Sequence, residues 1–168
     1  MATTMSASST AMWGWGGERS RWVAAVVPCS SATASGLIRR FIDPDADILF
    51  VPAEQVLAVA AAEGGHSFDT AGATYTHRRT PDRELCTFEV LIHDHHLGDN
   101  PALARLAAIV HAADIAADLR TDPLGPGLLA IGQGGLHVEY DDQRLLERGL
   151  FVYDALYAWC QHNSPEAS

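Results

Sequence analysis

Apolar residues recur along most of this chain at three- and four-residue intervals, and only a few short runs are apolar throughout. The first pattern marks amphipathic helices and the second short buried strands. Trp22 to Val27 reads as a strand. Ser35, as an N-cap, opens a helix through Leu37, Ile38, Phe41 and Ile42, which Asp43-Pro44 breaks. Asp47 to Val51 reads as a second strand, and Ala53 to Glu63 as a helix stopped by Gly64-Gly65. Two short extended pieces follow, around Ser67-Phe68 and from Ala73 to His77, then a polar, arginine-rich loop from Arg78 to Glu84.

The second half is more helical. Cys86 to Leu97 places Cys86, Glu89, Val90, His93 and Leu97 on one arc. Asn100-Pro101 pairs an N-cap with proline at the first helical position and opens a helix to about Asp118. Leu119 to Gly127 reads as a connector and Leu128 to His137 as a glycine-bearing helix. Asp141 or Asp142 caps a final helix ending near His162. Its two apolar faces, Leu146/Leu150/Tyr153/Tyr157/Cys160 and Val152/Leu156/Trp159, suit a central core position or a subunit interface. The pattern predicts an α+β, mostly helical single domain, with five or six helices and a small sheet of two to four short strands. Residues 1–18 read as a disordered leader, 19–163 as the domain and 164–168 as a tail.

Composition narrows the function. A chain of 168 residues, 48% apolar, can bury one ordinary core. No apolar run reaches the roughly 20 residues that span a bilayer, so no membrane role is expected. The formal net charge of −10 argues against direct nucleic-acid binding. All 11 basic residues are arginine, which excludes lysine Schiff bases and a P-loop lysine. Three cysteines, Cys29, Cys86 and Cys160, form no even framework, and a reducing cytoplasm is the expected compartment.

Two residue pairs carry the candidate chemistry: Cys86 with Glu89, and His111 with Asp114. A three-residue step puts both members of each pair on one helical face. Asp114 falls within the apolar stripe Leu103, Leu106, Val110 and Ala113, where a carboxylate needs a cation or a metal. His77 could complete a mixed N/O/S site. The alternative from the residues alone is a core cysteine, a surface glutamate and a hydrogen-bonded His–Asp pair. His93, His95 and His96 sit at a helix end, where histidine favours the dipole.

Four blocks resemble the C-terminal domain family of the chromate-resistance protein ChrB. They are Leu37–Pro52, Cys86–Leu91, Asn100–His111 with Asp114, and Tyr153–Cys160, in the family's order. The resemblance implies a domain associated with bacterial chromate resistance. It also implies a histidine shortly before the Cys-x-Phe-Glu block, to which His77 corresponds. His77, Cys86, Glu89, His111 and Asp114 are therefore expected to form one metal site. The chain departs from the family just before Leu37. Ser30-Ser31, Ala34 and Gly36 stand where members typically carry an Asp-Arg pair, a small residue or cysteine, and a tryptophan. Cys29 lies too far upstream to substitute in register. No counterpart of full-length ChrB's additional N-terminal domain is seen, so a DNA-binding regulator role is not expected.

Two functions fit. In the first, a divalent metal (Zn, Mn or Fe(II)) organises a pocket that binds or responds to a small oxyanion, with Arg39 or Arg40 as the anion's partner. Those arginines point about 100° apart on a helix, so at most one is expected to face the pocket, and a salt bridge to Asp43 or Asp45 is the alternative. In the second, the same scaffold is a metal-dependent enzyme acting on a small anionic substrate by hydrolysis, elimination or cyclisation, with Glu89 or His111 as general base or acid. A homo-oligomer or a protein partner could use the apolar final helix.

Overall fold

A computed structural model describes residues 19–26 and 30–163. The expectations for residues 1–18, 164–168, Val27 and Cys29 lie outside them. A three-stranded parallel sheet has β1 (Arg21–Ala24) at its centre, with β2 (Asp47–Phe50) on one side and β3 (His66–Ser67) on the other. Trp22 pairs with Ile48 and with His66, which fixes the register on both edges. Each parallel crossover needs a helix, and the chain supplies them. Between β1 and β2 runs α1 (Ser30–Leu37), continued without a break by a π-helical turn, Ile38–Ile42. Between β2 and β3 lies α2 (Val56–Ala62), entered through a 3-10 turn and stopped at Gly64, whose φ of 60° suits glycine.

The first helix differs from its sequence expectation. It begins at Ser30, not after Ser35, and Ser35 turns its hydroxyl back to donate to the Ser31 carbonyl at 2.6 Å. Ser-Ser-Ala-Thr-Ala-Ser-Gly has weak helix propensity, so packing must hold it. The contact is visible at Gly36. A Cβ there would lie 2.7 Å from Cγ of Tyr153, so only glycine admits the ring this close.

The arginine-rich segment is not a plain loop. Two-residue strands β4 (Arg78–Arg79) and β5 (Glu84–Leu85) pair antiparallel and hold it as a hairpin. Then come α3 (Thr87–Asp94), α4 (Pro101–Asp114), α5 (Gly125–Val138) and α6 (Asp142–Asn163), making six α-helices among the described residues. Asn100 accepts a hydrogen bond from the Leu103 N–H at 3.0 Å and starts α4 as its sequence indicates. That helix ends at Asp114, earlier than expected. Ile115 is extended and a 3-10 turn, Ala116–Asp118, folds the chain back. Pro126 lies in the first turn of α5, so that helix begins three residues before the expected Leu128.

The main core lies between α1, α3, α4 and α6, around Leu37, Phe88, Leu103, Leu106, Ile109 and Leu146. A smaller cluster, Val23, Ala25, Val56 and Ala60, seals β1 against α2. On α6, Leu146, Tyr153 and Cys160 are buried, while Phe151 and Trp159 are exposed. The architecture is α+β and mostly helical. No helix among the described residues is long and apolar enough to cross a membrane.

Candidate functional site

The site is built where α1, the loop after β3, the hairpin and the facing ends of α3 and α4 meet. Asp69 follows β3 with a left-handed backbone, φ 56°, and its N–H is held by the Tyr75 carbonyl at 2.9 Å. That turn sends its carboxylate inward. Oδ1 accepts hydrogen bonds from Ser30 Oγ at 2.6 Å and from Thr87 Oγ1 at 3.0 Å. Oδ2 is buried and has no hydrogen-bond partner. Burial raises the Asp69 pKa, and the charge of Asp114 raises it further, against the two hydroxyl hydrogen bonds.

Asp114, the last residue of α4, lies within reach of the same serine, its Oδ2 3.2 Å from Ser30 Oγ. The same oxygen is 3.0 Å from His77 Nε2. His77 also faces Glu84, with Nδ1 3.5 Å from Oε1. The hydrogen bond to Asp114 raises the His77 pKa despite partial burial. One donor atom from each of Asp69, His77 and Asp114 lies within 4.8 Å of the others, the spread a metal ion could gather.

Cys86, Glu89 and His111 form a second such group beside it. Glu89 Oε2 accepts the Cys86 N–H at 3.0 Å and lies 2.7 Å from His111 Nδ1. Arg83 Nη2 reaches the other oxygen at 2.8 Å. His111 Nε2 is 2.9 Å from Asp118, which the 3-10 turn returns to it. Burial works to lower the His111 pKa, but the hydrogen bonds to Asp118 and Glu89 outweigh it and the value rises. Burial, and next the Glu89 charge, push the Cys86 thiol far up, so it stays protonated.

The five residues expected to share one site are thus divided. His77 and Asp114 join Asp69, whereas Cys86, Glu89 and His111 close on themselves with Arg83 and Asp118. The reason is helical geometry. Glu89 and His111 face each other across α3 and α4, while Asp114, most of a turn further along the same face of α4, reaches His77 and Ser30 instead. The groups remain neighbours, since Thr87, next to Cys86, donates to Asp69. Four contributors were missed: Ser30, Asp69, Arg83 and Asp118. Asp69 sits at a left-handed position in a short irregular run, where periodicity has nothing to report.

The arginine pair lies elsewhere. Arg40 donates from Nε and Nη2 to both oxygens of Asp154 on α6, at 2.8 and 2.7 Å. Its partner is neither Asp43 nor Asp45, because the π-helical turn swings it toward α6. Among the described residues, Arg39 makes no hydrogen bond to either group. The surface groove beside the second group is lined by Arg83, Glu89, His93, His111, Asp118 and Asp122. Its three carboxylates are already paired, Glu89 with Arg83 and His111, Asp118 with His111 and Asp122 with Arg105, so they leave little free charge of either sign on the wall. His95 packs against Tyr75 at 5.5 Å between ring centroids instead of serving only the end of α3.

No solved structure matches this chain. Protein ChrB of Cupriavidus metallidurans is 33% identical over 143 residues, covering 85% of this chain and 39% of that protein. The chain therefore spans well under half the length of this curated relative. The family model described as "ChrB, C-terminal domain" matches residues 22–160, from the centre of β1 to the last turn of α6, and so takes in every element that builds the two groups. This chain belongs to the ChrB C-terminal domain family.

Proposed function

We propose that this domain serves a chromate-resistance role by holding a divalent cation between Asp69, His77 and Asp114. One observation carries the reading: Asp69 Oδ2 is buried, unpartnered and beside a second carboxylate. An isolated buried carboxylate is costly, and two together are worse, unless a cation satisfies them. Two carboxylate oxygens and one imidazole suit Zn, Mn or Fe(II). Three protein ligands leave coordination open for a further group. A small oxyanion would meet the cation there, because Arg40 is committed to Asp154. The Cys86–Glu89–His111 group is the neighbouring wall. Its polar atoms are already paired with Arg83 and Asp118, and it holds α3 against α4.

The test is elemental analysis and calorimetric titration with Zn, Mn and Fe(II) on the full chain, Asp69→Asn and Glu89→Gln. The expected result is stoichiometric uptake by the full chain and by Glu89→Gln, lost in Asp69→Asn. Uptake lost only in Glu89→Gln would move the cation to the second group. No uptake of any of the three metals by the full chain would end the proposal.

A further inference from the structure

A separate cavity of about 250 Å3 lies between α1, α5 and α6, on residues that neither cation group uses. Its walls are Ala32 of α1, Leu128 and Ile131 of α5, and Leu146 and Val152 of α6, with Leu106 of α4 at the floor. The sequence of α5 explains why it exists. Gly-Pro-Gly-Leu-Leu-Ala-Ile-Gly-Gln-Gly-Gly-Leu-His-Val is strongly apolar, yet only Gly125 and Leu128 of it are buried. Ile131 and Val138 line the cavity and remain exposed at 56% and 72%, so the space reaches solvent along α5.

The lining selects the occupant's chemistry. An apolar cavity of roughly 150 Å3 stays dry and takes up a molecule the size of benzene, and drug-sized pockets begin at about 300 Å3. This space falls between those limits, which sets the occupant at one or two rings. The charged rim is Glu139, Asp142 and Arg148, and Arg148 is already paired with Glu139 at 3.2 Å. The balance left at the mouth is negative, so an anionic head is repelled and a neutral one is not. We propose that the cavity between α1, α5 and α6 is a binding site for an uncharged, apolar small molecule of one or two rings. The proposal is independent of the cation site, since it shares no residue with it.

The test uses the full chain and two fluorescent two-ring probes, neutral 1-aminonaphthalene and anionic 5-aminonaphthalene-1-sulfonate. The expected result is saturable, one-to-one binding of the neutral dye, unchanged by chelator, with the anionic dye at least tenfold weaker. Ala32→Trp and Val152→Trp fill the cavity from α1 and from α6. Each should raise the neutral dye's dissociation constant tenfold or more while far-ultraviolet circular dichroism is retained. The comparison of the two dyes needs no variant and stands if a filled variant misfolds. Absence of saturable binding, equal binding of both dyes, or binding unaltered in a folded filled variant would each overturn the proposal.

Discussion

His77 Nε2 and Asp114 Oδ2 lie 3.0 Å apart, which ties the residue just before β4 to the last residue of α4. The pair makes the hairpin part of the site instead of a free surface loop. It also makes stability depend on pH. The hydrogen bond to Asp114 raises the His77 pKa in the folded state above its unfolded value of about 6.5. The folded protein therefore binds the extra proton more tightly. The stabilisation is fully present below pH of about 6.5 and is lost as pH rises through the raised folded value. With chelator present, melting curves of wild type and His77→Gln are expected to lie furthest apart near pH 6 and to converge toward about pH 9. A gap that widens with pH would contradict the assignment.

Asp69 has the opposite chemical sense with the same sign of shift. Burial raises its pKa in the fold, so ionisation costs stability as pH rises above the ordinary aspartate range, about 4. Asparagine keeps an acceptor for Ser30 and Thr87 but carries no charge. In chelator at neutral pH, Asp69→Asn is expected to melt above wild type, with the advantage shrinking as the pH falls toward about 4. A variant that melts lower at every pH would show that the carboxylate is a structural partner instead.

Gly36 offers a packing test that involves no ligand. Alanine at this position would gain up to about 1 kcal/mol of helix propensity, but its methyl would meet the Tyr153 ring. Overpacking of this kind costs about 1–3 kcal/mol, so a net loss is expected in chemical denaturation. In a Tyr153→Ala background the obstruction is gone, and the same change should become neutral or stabilising. An equal cost in both backgrounds would rule out the contact as its cause.

Arg40 and Asp154 make a two-pronged ion pair, but both side chains are nearly half exposed. Such pairs are typically worth about 0.2–1 kcal/mol, and no more is expected from Arg40→Ala. Metal uptake should be unchanged, as should any chromate or sulfate response measured on metal-loaded protein. Loss of the oxyanion response alone would return Arg40 to the site.

Much of this fold could be read from local pattern, and what could not has common physical causes. Asn100-Pro101 announced α4 because an N-cap and a first-turn proline act within one turn. The parallel partners of Trp22 gave no such signal, since pairing across crossover helices depends on packing. The hairpin at Arg78–Leu85 was missed because two-residue strands are too short to alternate. Serine favours the cap position, which is what Ser35 signals in the sequence, but buried in mid-helix its hydroxyl donates to the Ser31 carbonyl. In the candidate site, His77, Cys86, Glu89, His111 and Asp114 were named from residue type and helical spacing. Their division into two groups depends on what lies opposite each turn of α4, and on Asp118 returning through a turn that reads as helix.

Ser30 touches Asp69 from 39 residues away and Asp114 from 84, while His77 reaches Asp114 across 37. The groups come from separate elements, so the complete cluster forms only when α1, the turn after β3, the hairpin and α4 have all docked. The cluster is in effect a coincidence detector for completed folding. A half-assembled domain offers no competing version of it, and anything that fastens to the finished cluster draws the whole chain toward its native state by mass action.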